Sequence, residues 1–263
     1  MGSATREALA QATAALAAAK GVTLSTGEQL LSAGRAIEGS SGLRAVLADP
    51  AVESSRKSEL IGTVFGALDP EALAILGVIA ESRWSTQGQL LDGIEEIGIR
   101  AIATSARDNS VIESQLFDFA RVVSSDPELE LALASKLGDS SERVALVDAL
   151  LSKTSSPATL AIVRHLVQSP RGRRIGELLA TAADIVADSA GSVVATITAA
   201  SEPSAAQLER LQSLLAAQYG RTPRLNLIVD PEMIGGLRVQ LGDEVIDGSV
   251  ATRLADLRLR LAG

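Results

Sequence analysis

Apolar residues recur at three- and four-residue intervals along most of the first 190 positions, which is the period of amphipathic helices. Two such stripes are Leu60, Ile61, Val64 and Phe65, and Leu146, Val147, Leu150 and Leu151. Proline interrupts the pattern at several points, since it disfavours helix in the residue before it. These prolines are Pro50, Pro70, Pro127 and Pro157. The pattern therefore predicts several short helices.

An internal repeat appears when the chain is compared with itself at an offset of about 86 residues. Residues 55–82 align with residues 141–169 after a one-residue insertion, and most of the matches fall on apolar positions. The repeat predicts two similar helical units, which we place at residues 1–110 and 111–190. Chance similarity between helices rich in Ala and Leu is the alternative.

The pattern changes in the last quarter of the chain. Residues 192–200 are rich in β-branched side chains, and residues 224–230 alternate apolar and polar as a half-buried strand does. Between them, Ser204 and Gln207 have the spacing of a capping box at a helix start. The predicted fold is therefore mainly α, with tandem helical bundle units followed by a small α+β domain at residues 191–263.

A β-hairpin is predicted inside this domain. Two alternating runs flank Gly242-Asp243, a pair with glycine first that suits a type II′ turn. In that register Val239 lies opposite Ile246, and Arg238 lies opposite Asp247. The apolar face of the hairpin then carries Leu237, Val239, Leu241 and Ile246. The other face carries a cross-strand ion pair worth about 0.2–1 kcal/mol.

Residues 230–250 combine five carboxylates with several glycines, so a metal loop, a phosphate-binding loop and a structural hairpin are the alternatives. Calcium loops space their oxygen ligands as in DxDxDG, and phosphate loops need GxxxxGK[ST] or GxGxxG before a helix. Neither pattern occurs here. We interpret these residues as structural: they turn the chain, pair across the hairpin or cap the last helix. They are Asp230, Pro231, Gly235, Gly236, Gly242, Asp243, Asp247 and Ser249.

The net charge of the chain argues against one class of partner. The 263-residue chain has a formal net charge of −8, and 2% of its residues are aromatic. Phosphate binding needs clustered Lys and Arg, so this acidic balance argues against nucleic acid as a partner. The basic run RGRR at residues 171–174 is a local exception, and we expect it to form a solvated turn.

The sequence contains few of the residues that usually act as nucleophiles or bind transition metals. The chain has no cysteine, and its single histidine is His165, which excludes thiolate chemistry and multi-histidine metal sites. No GxSxG context supports a Ser-His-Asp triad, so we expect His165 to be an ordinary helical histidine. No apolar run approaches the roughly 20 residues that cross a bilayer. We therefore expect a soluble, cytosolic chain that meets a membrane only through a partner.

The stretch VDPEMIGGLRVQLGDEVIDGSVATRLADL, residues 229–257, resembles the signature of the δ subunit of bacterial F-type ATP synthase. The mitochondrial counterpart is the oligomycin-sensitivity-conferral protein. Matching positions are Val229, Asp230, Pro231, Ile234, Gly235, Gly236, Leu237, Val239, Gly242, Asp243, Ile246, Asp247, Ser249, Val250, Arg253 and Leu254. With its duplicated helical region, the chain looks like the long δ subunits of actinobacteria.

This resemblance implies a non-catalytic stator subunit, with no catalytic residue, metal or cofactor, present in one copy per synthase. In this family the helical domain binds N-terminal segments of the α subunits, and the C-terminal domain binds the end of the b subunit. The chain would then be peripheral to the cytoplasmic face of the bacterial cell membrane, attached only through the complex. The alternatives are a helical adaptor of another assembly, and an enzyme that uses the carboxylates of residues 230–247 with a metal.

The two ends of the chain hold the interface candidates. The last helix places Leu257 and Leu261 beyond the hairpin, so the resemblance implies that they meet the b subunit. Leu9 and Leu16 lie on an Ala-rich helix whose narrow surface lets another helix approach closely. These two leucines pack either inside the chain or against a partner.

Overall fold

The computed structural model describes residues 2–134, 140–190, 193–219, 223–230, 233, 235–241 and 244–248. Its described residues form twelve α-helices and four β-strands. They divide into two compact units, Met1–Val186 and Ala187–Gly263. The predicted fold class, mainly α with a small α+β C-terminal domain, is confirmed.

The helical region contains eleven helices in chain order. They are α1 (Ser3–Ala18), α2 (Leu24–Gly39), α3 (Ser41–Ala48), α4 (Ser54–Phe65), α5 (Pro70–Glu81), α6 (Gln87–Ser105), α7 (Asn109–Ser125), α8 (Pro127–Ala134), α9 (Ser140–Leu151), α10 (Pro157–Gln168) and α11 (Ile175–Ser189). Local signals start several of them. Thr23 and Thr26 form a reciprocal capping box at α2, and Ser156 caps α10, where Pro157 occupies the first turn.

Helix bounds follow the sequence repeat. α4 and α9 begin and end 86 residues apart, and α5 and α10 begin and end 87 residues apart. Buried positions coincide as well, since Ile61 is 1% exposed and its counterpart Val147 is 0% exposed. That the two predicted units fold separately stays a prediction.

One helix serves two apolar cores in this region. The first core gathers buried side chains of α1 to α6, among them Ile94 and Ile97 of α6. The second core is built mainly from α7, α9, α10 and α11, and it also takes Ile99 and Ile102 from the end of α6. Leu31 of α2 belongs to this second core too. α6 therefore joins the two helical repeats.

Glycines let α2 lie close against α6. A Cβ added to Gly27 would lie 2.8 Å from the carbonyl oxygen of Gly98. A Cβ added to Gly98 would lie 2.5 Å from Cδ2 of Leu31. At Gly27 the clash is with backbone atoms, so this position requires glycine for the two helices to pack as they do. At Gly98 an added side chain would displace the side chain of Leu31.

The C-terminal unit is built on β1 (Val193–Ala199), α12 (Ala205–Tyr219), β2 (Pro223–Val229), β3 (Leu237–Leu241) and β4 (Glu244–Asp247). The strand order is β2-β1-β3-β4, with β1 parallel to β2 and antiparallel to β3. At the start of α12, the amide of Ser204 donates to Gln207 Oε1 over 2.9 Å, and the amide of Gln207 donates to Ser204 Oγ over 3.4 Å. The predicted capping box is therefore confirmed.

The hairpin register is also confirmed. Val239 pairs with Ile246, and Arg238 pairs with Asp247 across β3 and β4. Arg238 Nη2 lies 3.1 Å from Asp247 Oδ2. Val239 is 5% exposed, whereas Ile246 is 38% exposed because β4 is the edge strand of the sheet. The turn at residues 242–243 lies outside the described part of the chain.

This register predicts unequal effects at two neighbouring positions. Val239→Asp should unfold the C-terminal unit, because an unpaired buried carboxylate costs several kcal/mol or must be protonated. Arg238→Ala should cost about 1 kcal/mol or less, since its side chain is 55% exposed and its ion pair is screened. Thermal unfolding of both variants measures the difference, and equal losses would contradict the register.

Candidate functional site

A groove between α1 and α5 is the first candidate site. It encloses about 480 Å³ and is lined by Ser3, Ala4, Glu7, Ala8 and Gln11 of α1 and by Glu81, Ser82 and Arg83 at the end of α5. Ala8 is 2% exposed, and Ala12, one turn later, is fully buried. These small side chains let α1 lie close to its neighbours. The groove therefore has a narrow floor of alanine and a polar rim.

The structure places the two leucine candidates of α1 in or against the first core. Leu16 is 5% exposed and belongs to that core, and Leu9 is partly buried against it. Leu16 therefore packs inside the chain, whereas Leu9 keeps a partly exposed side chain and stays a candidate for either alternative. The groove beside them is instead lined by Ala4, Glu7 and Gln11, which sequence reasoning did not single out.

A second groove lies in the C-terminal unit. It encloses about 440 Å³ between the end of β1, the start of α12 and the entrance to β3. Gly235 and Gly236 line it with φ of 133° and 87°, a conformation that side chains other than glycine rarely adopt. Leu214 of α12 also lines the groove and is 62% exposed. The glycine pair therefore shapes a partly apolar surface.

Other signature residues have structural contacts where the structure describes them. The amide of Asp230 donates to the carbonyl of Ala199 over 2.8 Å, which ties the end of β2 to the end of β1. Asp247 forms the cross-strand pair with Arg238. Six predicted site residues lie outside the described part of the chain. They are Pro231, Gly242, Asp243, Ser249, Leu257 and Leu261.

A buried cluster of charges lies where α10 meets α6 and α2. The carboxylate of Glu95 accepts two parallel hydrogen bonds from Arg173, at 2.8 and 2.9 Å. Arg171 forms ion pairs with Asp92 at 2.9 Å and with Glu95 at 2.8 Å, the latter without hydrogen-bond alignment. The side chain of Glu95 is 8% exposed, so these arginines compensate a charge that is almost removed from water.

His165 completes this cluster. Arg35 Nη1 lies 2.7 Å from His165 Nδ1, and His165 Nε2 lies 3.2 Å from Glu95 Oε2. An arginine can only donate, so Nδ1 is the acceptor and Nε2 carries the proton that points at Glu95. Burial lowers the pKa of His165, which agrees with this neutral tautomer.

Glu95 stays ionised in this position. Burial alone would raise the pKa of Glu95, but hydrogen bonds from His165 and Arg173, with the charges of Arg171 and Arg173, lower it to about 2. Ser169 adds a hydrogen bond to Glu38 of α2 beside the cluster. The cluster thus ties α10 and the turn after it to α6 and α2.

Two expectations from the sequence are corrected here. The RGRR run is not a solvated turn: the side chain of Arg171 is 14% exposed and that of Arg173 is 30% exposed. The left-handed backbone at Arg171 and Gly172, with φ of 49° and 79°, makes the tight turn after α10. His165 is more than an ordinary helical histidine, because it bridges Arg35 and Glu95.

In residues 2–134, 140–190 and the described parts of the C-terminal unit, no group of His, Asp and Glu is arranged to hold a metal ion. His165 and Arg35 of the cluster also line a space of about 190 Å³ between α2 and α10, whereas the space beside Glu95 measures about 10 Å³. No helix in the described part of the chain is long and apolar enough to cross a bilayer.

Comparisons with known proteins point to one family. The family model described as ATP synthase delta (OSCP) subunit matches residues 7–94 and 99–261. The protein described as ATP synthase subunit delta in Leifsonia xyli subsp. xyli is 52% identical over 264 residues, which cover 100% of both chains. Proteins with the same description in Kineococcus radiotolerans and Streptomyces avermitilis are 39% and 41% identical. These matches cover 90% and 84% of this chain and 88% and 82% of the relatives.

A much weaker likeness of fold was found to a chain in the cryo-EM structure of the Toxoplasma gondii mitochondrial ATP synthase hexamer. It has a TM-score of 0.44 and 19% identity, and it covers 64% of this chain and 96% of that chain.

The charge cluster predicts that acid destabilises the helical region. His165 has a lowered pKa, so stability should begin to fall as the pH drops below about 6.5, where the unfolded chain takes up the proton first. Glu95 has a pKa lowered from 4.5 to about 2, so its contribution is present above pH 4.5 and is lost as the pH falls towards 2. Denaturant unfolding at a series of pH values measures both effects.

Glu95→Gln tests this assignment. It should cost roughly 3–5 kcal/mol at pH 7, because it removes the carboxylate partner of Arg173 and one of the two carboxylate partners of Arg171. It should also flatten the pH dependence of stability between pH 4.5 and 2. Asp118→Asn is the matched control, since the Asp118–Arg121 pair is 62% and 69% exposed and should be worth about 1 kcal/mol or less. If the stability of Glu95→Gln fell between pH 4.5 and 2 as much as that of the wild type, the assignment would be refuted.

Proposed function

Because the chain belongs to the ATP synthase delta (OSCP) subunit family, we propose that it is a non-catalytic stator subunit that joins the catalytic head of an F-type ATP synthase to its peripheral stalk. The observation that carries the proposal is the family match over nearly the whole chain, residues 7–94 and 99–261. The full-length match to a relative 52% identical extends it to the duplicated helical region.

The head contact is proposed for the helical region. By resemblance, its partners are N-terminal segments of the α subunits. The groove between α1 and α5 supports this assignment, because its alanine floor lets a helix approach closely and its rim carries Glu7, Gln11 and Arg83 for polar contacts. Helix-in-groove docking is a common mode of peptide recognition.

The stalk contact is proposed for the C-terminal unit, with the end of the b subunit as its partner. The groove beside Gly235 and Gly236 supports this assignment, because it places the exposed side chain of Leu214 next to polar neighbours. Leu257 and Leu261 stay interface candidates for the same partner. The apolar spacing of the last helix and the resemblance support them.

A connector with one contact in each unit has a physical advantage. Once one partner is bound, the other contact becomes effectively intramolecular, so the attachment strengthens without a tighter single interface. Such a subunit needs stable surfaces and no reacting group. We therefore assign it no catalytic residue and no cofactor, and we place one copy per synthase at the cytoplasmic face of the cell membrane, attached through the complex.

Co-purification tests the proposal directly. The full chain carrying an affinity tag should retain both the α subunit and the b subunit from dissociated synthase. Separate titrations with an α N-terminal peptide and a b C-terminal peptide should each saturate. If neither subunit were retained, the connector role would be refuted, and the alternative hypothesis, a helical adaptor of another assembly, would be favoured.

The double variant Leu257→Asp with Leu261→Asp tests the stalk side. We expect a folded chain whose affinity for the b peptide falls about tenfold or more, because a carboxylate replaces each apolar contact at the interface. Proton pumping by reconstituted vesicles should then be uncoupled from ATP hydrolysis. Leu131→Asp is the matched control, since Leu131 of α8 is 71% exposed and lies in the helical region. Unchanged b affinity in the folded double variant would remove these two leucines from the interface.

A further inference from the structure

A gap lies between α2 of the first helical unit and α10 of the second. It measures about 190 Å³, whereas a water molecule takes up roughly 30 Å³ of liquid water, so one small polyatomic ligand can replace several waters there. The residues that line the gap are Glu28, Leu31, Arg35, Ala161, Arg164, His165 and Gln168.

Helical spacing brings these side chains together. The three residues of α2 follow the spacing i, i+3 and i+7, and the four residues of α10 follow the spacing i, i+3, i+4 and i+7. Leu31 and Ala161 are 1% and 6% exposed, so they form a buried apolar part of the lining. Glu28 is exposed and lies at the rim.

Arg35 brings a positive charge to the gap without a hydrogen-bonded carboxylate. Its Nη1 donates to Nδ1 of His165 over 2.7 Å, and among the described residues this is the one hydrogen bond of its guanidinium. Burial lowers the pKa of Arg35, and Glu38 acts on its charge without a hydrogen bond to it. Because arginine stays protonated and has five N–H donors, Arg35 keeps both charge and donors for a ligand.

The opposite wall of the gap supplies further donors from α10. Nε of Arg164 donates to Oδ1 of Asp148 over 2.6 Å, which leaves its Nη groups available. This hydrogen bond raises the pKa of Arg164, so Arg164 already has the carboxylate partner that Arg35 lacks. The side-chain amide of Gln168 has no hydrogen bond to any residue that the structure describes.

The charges of the lining favour an anion. Two arginines face one carboxylate, that of Glu28, in a chain whose formal net charge is −8, and the neutral imidazole of His165 adds no charge. A local positive charge between low-dielectric walls attracts anions. The donors come from both helices, so the ligand needs acceptor oxygens that point in several directions. Glu28 can only accept, which suits a protonated oxygen of the ligand.

We propose that the gap between α2 and α10 binds a tetrahedral oxyanion of the phosphate type, held by Arg35 on one side and by Arg164 and Gln168 on the other. Phosphate offers oxygens in four directions, and it carries a proton that Glu28 can accept in a hydrogen bond. Free orthophosphate and the phosphate group of a small monoester share this chemistry. The bound anion joins a helix of the first helical unit to a helix of the second and stabilises their contact.

Calorimetric titration and thermal unfolding of the full chain test this site. The probes are orthophosphate and glycerol 3-phosphate, with chloride as the reference at the same ionic strength and pH. We expect one saturable site per chain and an unfolding midpoint that rises with the logarithm of the phosphate concentration, because a ligand that binds only the native state stabilises it. Phosphate also stabilises proteins without a site, since it is excluded from their surface.

Three variants separate the site from this general effect. Arg35→Gln removes the charge but keeps a donor for His165, so the affinity should fall about tenfold or more. Gln168→Glu places a carboxylate of the chain in the gap and should abolish binding. Arg56→Gln is the matched control, because it makes the same change of charge at an exposed position of α4, and it should leave the affinity within about twofold.

The outcomes are distinct. Saturable binding that is lost in Arg35→Gln and Gln168→Glu and kept in Arg56→Gln supports the proposal, and the tighter of the two probes then identifies the source of the phosphate. Absence of saturable binding to the wild type overturns the proposal, as does an equal response of all three variants. If circular dichroism shows that Arg35→Gln is unfolded, Gln168→Glu decides, and unchanged binding in that folded variant overturns the proposal.

Discussion

The close packing of α2 against α6 is the constraint on which the helical region depends. The two backbones are so near at Gly27 that this position cannot carry a side chain, and a side chain at Gly98 would displace Leu31. Because α6 continues into the second core with Ile99 and Ile102, the first unit is attached to the second through a helix that belongs to both. A helix shared in this way fixes the orientation of the two units within the helical region, where a loop between separate bundles would not.

The buried charge cluster adds specificity to this arrangement. In the sequence repeat, Leu9 occupies the position that corresponds to Glu95, and Trp84 the position that corresponds to Arg171. The first repeat therefore has apolar residues where the second has an ion pair. Ion pairs removed from water often contribute no more stability than apolar side chains of similar volume. Buried ion pairs instead make packing specific, because Glu95 would be an unpaired buried charge if it packed against a surface without these arginines. The cluster thus favours the contact of α10 with α6 over a contact of α10 with α1, the helix that α6 repeats.

These features suit a static connector. A subunit that resists rotation needs contacts that do not rearrange, and tight helix packing with a buried salt-bridge network is stiff because both have single, well-defined geometries. The C-terminal unit reaches its own rigidity by another route, a small sheet closed by α12 over Ile197 and Val239. Each unit therefore stabilises itself and offers its own surface.

The sequence by itself determined the features that depend on near neighbours. Helical periodicity, the capping box at Ser204, the hairpin register of Val239 and the family signature all involve residues close to one another in the sequence. The structure confirms the capping box and the register, and the comparisons confirm the family. Only the tertiary structure decided that Leu16 lies in a core and that Arg171 and Arg173 of the RGRR run join a buried charge cluster. Glu95 and Arg173 are 78 residues apart, and nothing local marks them as partners. A side chain's surroundings are set by which helices meet, and that choice depends on the free energy of the whole packed core rather than on any segment of it.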